Sequence, residues 1–277
     1  MSSQRLIKLP HRVLLKLHGA ETNAFLQGLI TNDVTKLQSQ NGLAAFLLNT
    51  KGRIVEDVLL WRRGTDDVFL ECSKGNQANL VKEMLKYRLR KKVEVSETTD
   101  QVYFEQNTEK SEHRDPRFSG FGARVFGNLS DVSENREAYE NHRRSCGIAE
   151  GADELADLLP FQANGDLLNM VSLDKGCYIG QELTARTAHT GVIRRRILPF
   201  ECEGQVKIGS DILDEKKNKV GKVISSDTTR CLGILQLSSF KTAKLNADGV
   251  PLIAKQPNWM PDKILINNKT RTSLTDS

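Results

Sequence analysis

The sequence predicts an α+β protein that closes with a small, separate antiparallel β domain. Period-two apolar segments alternate with amphipathic helical ones through the first two thirds of the chain. Beyond Ile193 the pattern changes to short strand-like segments set between Gly, Asp and Asn turns. The 277 residues are 38% hydrophobic and 27% charged, an ordinary globular balance. At that length about 70–75% of the unfolded surface can be buried without covalent staples. The expected division is a first region over 1–195 in two interleaved layers, a C-terminal β domain over 196–262, and a frayed polar tail over 263–277.

Arg12–His18 alternates as a strand, and Glu21–Leu29 follows as a helix with Phe25 and Leu29 on one face, Leu26 and Ile30 on another. Thr31-Asn32-Asp33 breaks it with capping and turn residues. Leu43–Leu48 and Arg53–Trp61 form an expected hairpin, with Gly52 where the turn needs positive φ. In the second of these strands Val58–Trp61 suggests burial on both faces. The acids Glu56 and Asp57 lead into it, and such acids need partners or water. They line a cavity, mark the strand's mouth, or pair with a surface Arg or Lys.

Val68–Cys72 is the next strand, Gln77–Leu89 an amphipathic helix with Leu80, Met84 and, one turn on, Val81 and Leu85, and Val93–Val95 and Val102–Glu105 further strands. Asn107–Pro116 is expected to be a surface loop, and Glu134–Cys146 a helix stopped by Gly147. In the last third, Ile193–Cys202, Val206–Ile208, Asp211–Leu213, Lys219–Ser225 and Cys231–Leu237 read as strands of a barrel or sandwich.

Several function classes are disfavoured. The net charge of +5 falls short of the clustered excess of a dedicated nucleic-acid binder. The five cysteines show no CxxC spacing, so a local structural zinc loop is not expected, and free thiols in a reducing compartment are the simplest reading. No run approaches the length of a spanning helix, and no membrane partner is expected. The first twenty residues hold bases and no acid, an organelle-targeting flavour, yet a strand already begins within them.

The chemistry concentrates in Lys175-Gly-Cys-Tyr-Ile-Gly-Gln-Glu182. Gly176 and Gly180 flank Cys177, Tyr178 and Ile179, allowing tight bends on both sides of one thiol. A helix is expected from Gln181 and Glu182 onward. Its positive end and the charge of Lys175 would favour a reactive Cys177. The competing reading is a buried cysteine in a tight turn, the commoner fate of a free thiol.

This octapeptide, with Leu183-Thr-Ala-Arg186 and Gly191-Val-Ile-Arg-Arg-Arg196, resembles the signature of the YgfZ-type iron–sulfur cluster assembly factors, most closely their mitochondrial, eukaryotic members. These are relatives of the glycine cleavage T-protein (GcvT), a tetrahydrofolate-dependent aminomethyltransferase. Phe25–Val34 resembles the family's N-terminal motif, Asn49–Asp57 its folate-pocket hairpin, and Gly221–Ser226 a strand of its barrel domain.

The resemblance implies a three-part folate-binding fold with a central channel and a C-terminal barrel. It also implies a mitochondrial matrix protein that matures [4Fe–4S] proteins with A-type iron–sulfur carriers, through Cys177 as a shared cluster ligand or by thiol exchange. One cysteine cannot hold a cluster that commonly takes four thiolates, so no stably bound metal is expected in the isolated protein. The alternative is a tetrahydrofolate-dependent one-carbon transferase. For that reading Asp57 matches the family's acid beside the folate nitrogen. Gln162 stands where related sequences carry a pterin-anchoring Glu, and an amide anchors less strongly than a carboxylate.

Two basic stretches remain, Lys86–Lys92 and Arg194–Arg196. Each is read first as a solvated face, then as a site for an acidic partner; without interleaved aromatics, nucleic acid is not expected. His189 either approaches Cys177 or is a hydrogen-bonded loop histidine.

Overall fold

The computed structural model describes residues 6–64, 67–106, 111–240 and 244–266. Its elements run β1 (Ile7–Lys8), β2 (Arg12–His18), α1 (Thr22–Gln27), β3 (Gly42–Leu48), β4 (Ile54–Arg62), β5 (Asp67–Ser73), α2 (Gln77–Arg88), β6 (Glu94–Glu97), β7 (Gln101–Glu105), β8 (Ala123–Gly127), α3 (Arg136–Ser145), α4 (Ala152–Leu155), α5 (Gln181–Thr190), β9 (Arg195–Cys202), β10 (Asp211–Leu213), β11 (Lys219–Ser226), β12 (Arg230–Gln236), β13 (Leu245–Ala247), β14 (Val250–Ala254) and α6 (Asp262–Ile266).

The central sheet is antiparallel with strand order β3-β4-β5-β2-β6. Both its faces are covered, which is why Val58–Trp61 of β4 reads as a continuous apolar run. Leu15, Leu17, Ala45, Val58, Leu60 and Leu70 pack against Phe25, Leu26 and Leu29 of the α1 region and against Leu80 and Met84 of α2. Leu14, Phe46, Leu59 and Trp61 point the other way, into a core shared with Val102, Phe104, Phe121 and Tyr139. A bulge between Leu47 and Leu48 resets the β3–β4 register beside the hairpin turn, where Gly52 takes φ +72°.

A second sheet orders β1-β7-β8, and six strands close a barrel in the order β10-β11-β12-β9-β14-β13. Ile197 and Leu232 carry the first region's core into the barrel. Helix α3 joins them on the outside, through an ion pair from Arg144 to Asp227 (3.0 Å) and a hydrogen bond from Trp259 Nε1 to the Cys146 carbonyl (2.8 Å). Among the described residues, no helix is long and apolar enough to cross a membrane.

The structure departs from the sequence reading in several places. Val206–Ile208 is not a strand; it is a loop pinned by Lys207 N–H to Asp248, with Ile208 66% exposed. Strands β8, β13 and β14 were not expected; β13 and β14 are only three and five residues long, and β14 carries Pro251, which pairs with Asn246 in an unbroken register. In the expected surface loop, residues 107–110 lie outside the described residues. Its end turns inward, since Asp115 is buried and bonded to Arg117. Of the expected frayed tail over 263–277, residues 263–266 belong to helix α6, whose Leu265 is buried in the barrel core, and the remainder lies outside the described residues.

Candidate functional site

The octapeptide leaves the core as irregular chain and enters α5 at Gln181. Its approach is gripped by the segment after α1. The Thr31 hydroxyl donates to the Met170 carbonyl (2.6 Å), Ser172 N–H donates to the Thr31 carbonyl, and the Asn32 amide donates to the Asn169 carbonyl (2.6 Å). Lys175 completes the grip. Its ammonium donates to the carbonyls of Gln27 (2.7 Å), Ile30 (2.7 Å) and Asn32 (2.9 Å), groups left without partners where α1 ends. The same ammonium lies 4.9 Å from the centre of the Tyr178 ring. Burial lowers the Lys175 pKa to about 8, with Asp33 pulling the other way.

Ile179 N–H donates to the Gly28 carbonyl (3.1 Å), and the Gln181 side chain accepts from Tyr178 N–H (3.2 Å), folding the turn before the helix back on itself. Tyr178 is half-buried against the core beneath, and burial raises its phenol pKa. Gly180 closes the turn at φ +77°, against the Asn49–Gly52 hairpin turn. Gly176 behaves differently from expectation. Its φ is not positive, and a Cβ there would meet nothing within 4 Å, so it is no required hinge but an open position beside the thiol.

Cys177 sits between these anchors and is exposed. Cys146 is intermediate, and Cys72, Cys202 and Cys231 are buried. The positive charge expected beside the thiol is directed elsewhere, because the Lys175 ammonium is held by the end of α1. Glu182 is exposed in the first turn of α5, where the helix dipole favours an acid. His189 is exposed in the last turn of α5, and its side chain makes no hydrogen bond among the described residues. The three stretches Phe25–Val34, Asn49–Asp57 and Lys175–Glu182, far apart in sequence, therefore meet in one place.

The two residues expected in a folate pocket are separated in role. Gln162 lines an open cleft of about 570 Å³ with Leu183 and Thr187 of α5 and with Arg194 and Arg195. Asp57 is 0% exposed; it accepts from Gly151 N–H (2.6 Å) and pairs with Arg12 (3.3 Å). Glu56 points to the opposite side, accepting from Ser73 Oγ (2.8 Å) and Asn76 (2.7 Å). Burial, reinforced by Asp57, raises the Glu56 pKa to about 7. The two acids therefore have interior partners and do not mark a solvent-facing mouth.

Asp57 belongs to a buried ionic network that the sequence did not reveal. Arg12 donates to Glu71 (3.0 Å), and Arg124 donates to Glu71 (3.1 Å), Glu150 (3.2 Å) and the Tyr139 hydroxyl (3.0 Å). Trp61 Nε1 donates to the second Glu71 oxygen, and Arg117 binds Asp115. Burial opposes the charge on Arg12, but Asp57 and Glu71 outweigh it and hold the guanidinium protonated. Burial likewise opposes the Glu150 charge, while Arg117 and Arg124 keep that carboxylate ionised. The available signal was Glu71 within the apolar run Val68–Cys72, an acid that needed a partner. Arg196, read as part of a basic stretch, is buried and bidentate to Asp166 (2.8 and 2.6 Å).

Comparison with known proteins matches residues 5–104 to the GCVT N-terminal domain and residues 194–262 to the CAF17 C-terminal β-barrel domain. A human protein described as iron-sulfur cluster assembly factor IBA57, mitochondrial, is 30% identical, with 92% of this chain and 85% of that protein covered. A mouse protein of the same description is 33% identical over 71% of this chain and 66% of its own length. An IBA57 homolog from Mycosarcoma maydis is also 33% identical over 72% of this chain, which spans only 57% of that relative. The crystal structure of the glycine cleavage system aminomethyltransferase T from Bartonella henselae superposes with a TM-score of 0.67 at 14% identity, covering 92% of this chain and 86% of that one. At that identity the likeness speaks for the fold.

Proposed function

The chain belongs to the IBA57 family of iron–sulfur cluster assembly factors, and on that premise we propose that it serves the maturation of mitochondrial [4Fe–4S] proteins by presenting Cys177 to an A-type iron–sulfur carrier. The observation that carries this reading is the exposure of Cys177 on a loop whose two ends are fixed, at Lys175 and at Gly180. Among the described residues, no three His, Cys, Asp or Glu side chains are grouped to hold a metal ion. A cluster commonly takes four thiolates, so one touching Cys177 draws its remaining ligands from the partner. The cluster is cargo shared in a complex, and the protein's contribution is a positioned thiol with an open approach over Gly176. The compartment follows the relatives, which are mitochondrial by name; the matrix is where we place the encounter with the carrier.

The second reading, one-carbon transfer with tetrahydrofolate as cofactor, draws support from the fold. The burial of Asp57 between Arg12 and Gly151 weighs against it, because that carboxylate is ion-paired inside the protein and has no exposed surface for a ligand to meet.

The test is complementation of cells lacking the protein. A Cys177→Ser chain is expected to accumulate as folded protein and leave [4Fe–4S] enzyme activities low. Full restoration by the serine variant would sink the proposal. In vitro, an A-type carrier supplied with iron and sulfide is expected to form a joint chromophore with the native chain, which Cys177→Ser loses.

A further inference from the structure

The chain between α2 and β6 contains the second basic stretch, which the proposed site does not use. Five cations fall within Lys86–Lys92: Lys86, Arg88, Arg90, Lys91 and Lys92. Lys86 pairs with Glu83, and Arg88 donates to the Val93 carbonyl (3.4 Å). The side chains of Arg90, Lys91 and Lys92 have no partner among the described residues. Together with His18 and Glu94 they border a shallow hollow of about 440 Å³.

Leu89 stands at the tip of this loop. Its backbone lies at φ 50° and ψ −117°, and Lys91 N–H donates to the Arg88 carbonyl (2.9 Å). That is the first central position of a type II′ turn, a position that favours glycine. A leucine there is strained, and packing does not compensate it, since Leu89 is 85% exposed. The base of the loop is nevertheless held firmly. Lys92 N–H donates to Glu21 (2.8 Å), and Gly19, at φ +134°, leaves room for the Lys92 carbonyl where a Cβ would lie 2.2 Å away. A rigid base thus displays one apolar side chain in a ring of unpaired cations.

We propose that the Arg88–Lys92 turn docks the protein on an anionic phospholipid surface, with Leu89 entering the headgroup layer and Arg90, Lys91 and Lys92 meeting the lipid phosphates. Juxtaposed lysines and arginines are drawn to anionic leaflets, and their aliphatic stems lie along apolar surface while the charged heads stay in water. A peripheral contact of this kind needs no spanning helix. Protein interfaces are depleted in lysine and enriched in aromatics, whereas this tip has two lysines and an aliphatic residue. Single-stranded nucleic acid asks for an aromatic stacking platform, and Tyr87, the nearby aromatic ring, packs against the sheet core.

Vesicle co-sedimentation of the full chain tests this, with phosphatidylcholine alone and with phosphatidylcholine containing cardiolipin. The native protein is expected to sediment only with the cardiolipin vesicles, and high salt should release it. Charge reversal at Arg90, Lys91 and Lys92 together is expected to abolish sedimentation. Leu89→Gly should weaken it by about tenfold, the scale of one lost aliphatic insertion, while the melting temperature stays the same or rises because the turn is relieved. Absence of native binding to cardiolipin vesicles overturns the proposal. So does equal binding by both folded variants, or salt-dependent binding to mixed RNA without binding to vesicles.

Discussion

Gly52 and Gly180 meet backbone to backbone. A Cβ on Gly52 would lie 2.9 Å from the Gly180 carbonyl oxygen, and one on Gly180 would lie 3.1 Å from the Gly52 Cα and 2.3 Å from the Asn49 carbonyl. The hairpin turn and the cysteine loop are therefore one construction, and the position of Cys177 depends on the absence of side chains at both points.

Gly180→Ala is expected to lower stability by more than about 2 kcal/mol, since it adds a clash to a φ of +77° that side chains avoid. Gly176→Ala serves as the control and should fall within about 0.5 kcal/mol of the native chain, because its Cβ enters open space. Denaturant unfolding measures both.

Lys175→Met removes the donors to three backbone carbonyls at the end of α1. The expected loss is about 2–3 kcal/mol, the scale for stranded partners of charged hydrogen bonds. Amide exchange should quicken at Ile179, whose N–H bonds the same segment. Unchanged exchange there would show that Lys175 does not hold the loop.

Alkylation of the native protein with iodoacetamide is expected to modify Cys177 first and Cys146 more slowly, with Cys72, Cys202 and Cys231 reacting only after unfolding. Peptide mass mapping over time reads the order directly.

Asp57→Ala leaves Arg12 buried with one carboxylate fewer, and breaking such a pair costs about 3–5 kcal/mol. The expected phenotype is loss of folded protein. In calorimetric titration with tetrahydrofolate, any residual signal should then scale with the folded fraction. A well-folded variant that specifically lost tetrahydrofolate affinity would revive the transferase reading.

His11 is held neutral chiefly by burial, which lowers its pKa from 6.5 to about 4, although Glu150 and Glu140 pull upward against Arg136 and Arg12. The unfolded histidine takes a proton first as pH falls. Its contribution is thus fully present above pH 6.5 and is lost progressively towards pH 4, by about 3 kcal/mol in all. Comparing the native chain with His11→Phe isolates this effect, because Glu56, which titrates oppositely near 7, is common to both. The variant should keep more of its stability over that interval.

Much of the fold was legible because it is written in local patterns. Alternation placed β2, a short apolar run placed β5, turn chemistry placed the Asn49–Gly52 hairpin, and Gly147 marked the end of α3 at φ +71°. The short barrel strands β13 and β14 were overlooked although they form a hairpin of their own, turned at Asp248-Gly249 with both residues at positive φ, because Pro251 and the shortness of the strands masked that turn signal. At the site, the octapeptide stood out by its residues. Its geometry did not: Lys175 looked like a charge for the thiol and is an anchor for α1.

What the sequence determined alone was therefore most of the elements, the family resemblance and the cysteine to watch. What only the tertiary structure decided was which distant groups became partners. Arg12 bonds Glu71 across 59 residues, and Lys175 reaches Asn32 across 143. A charge inside an apolar run announces that it needs a partner, because burying it unpaired is too costly. Which residue answers depends on the strands and loops that packing brings alongside, and nearest neighbours in the chain do not encode that choice.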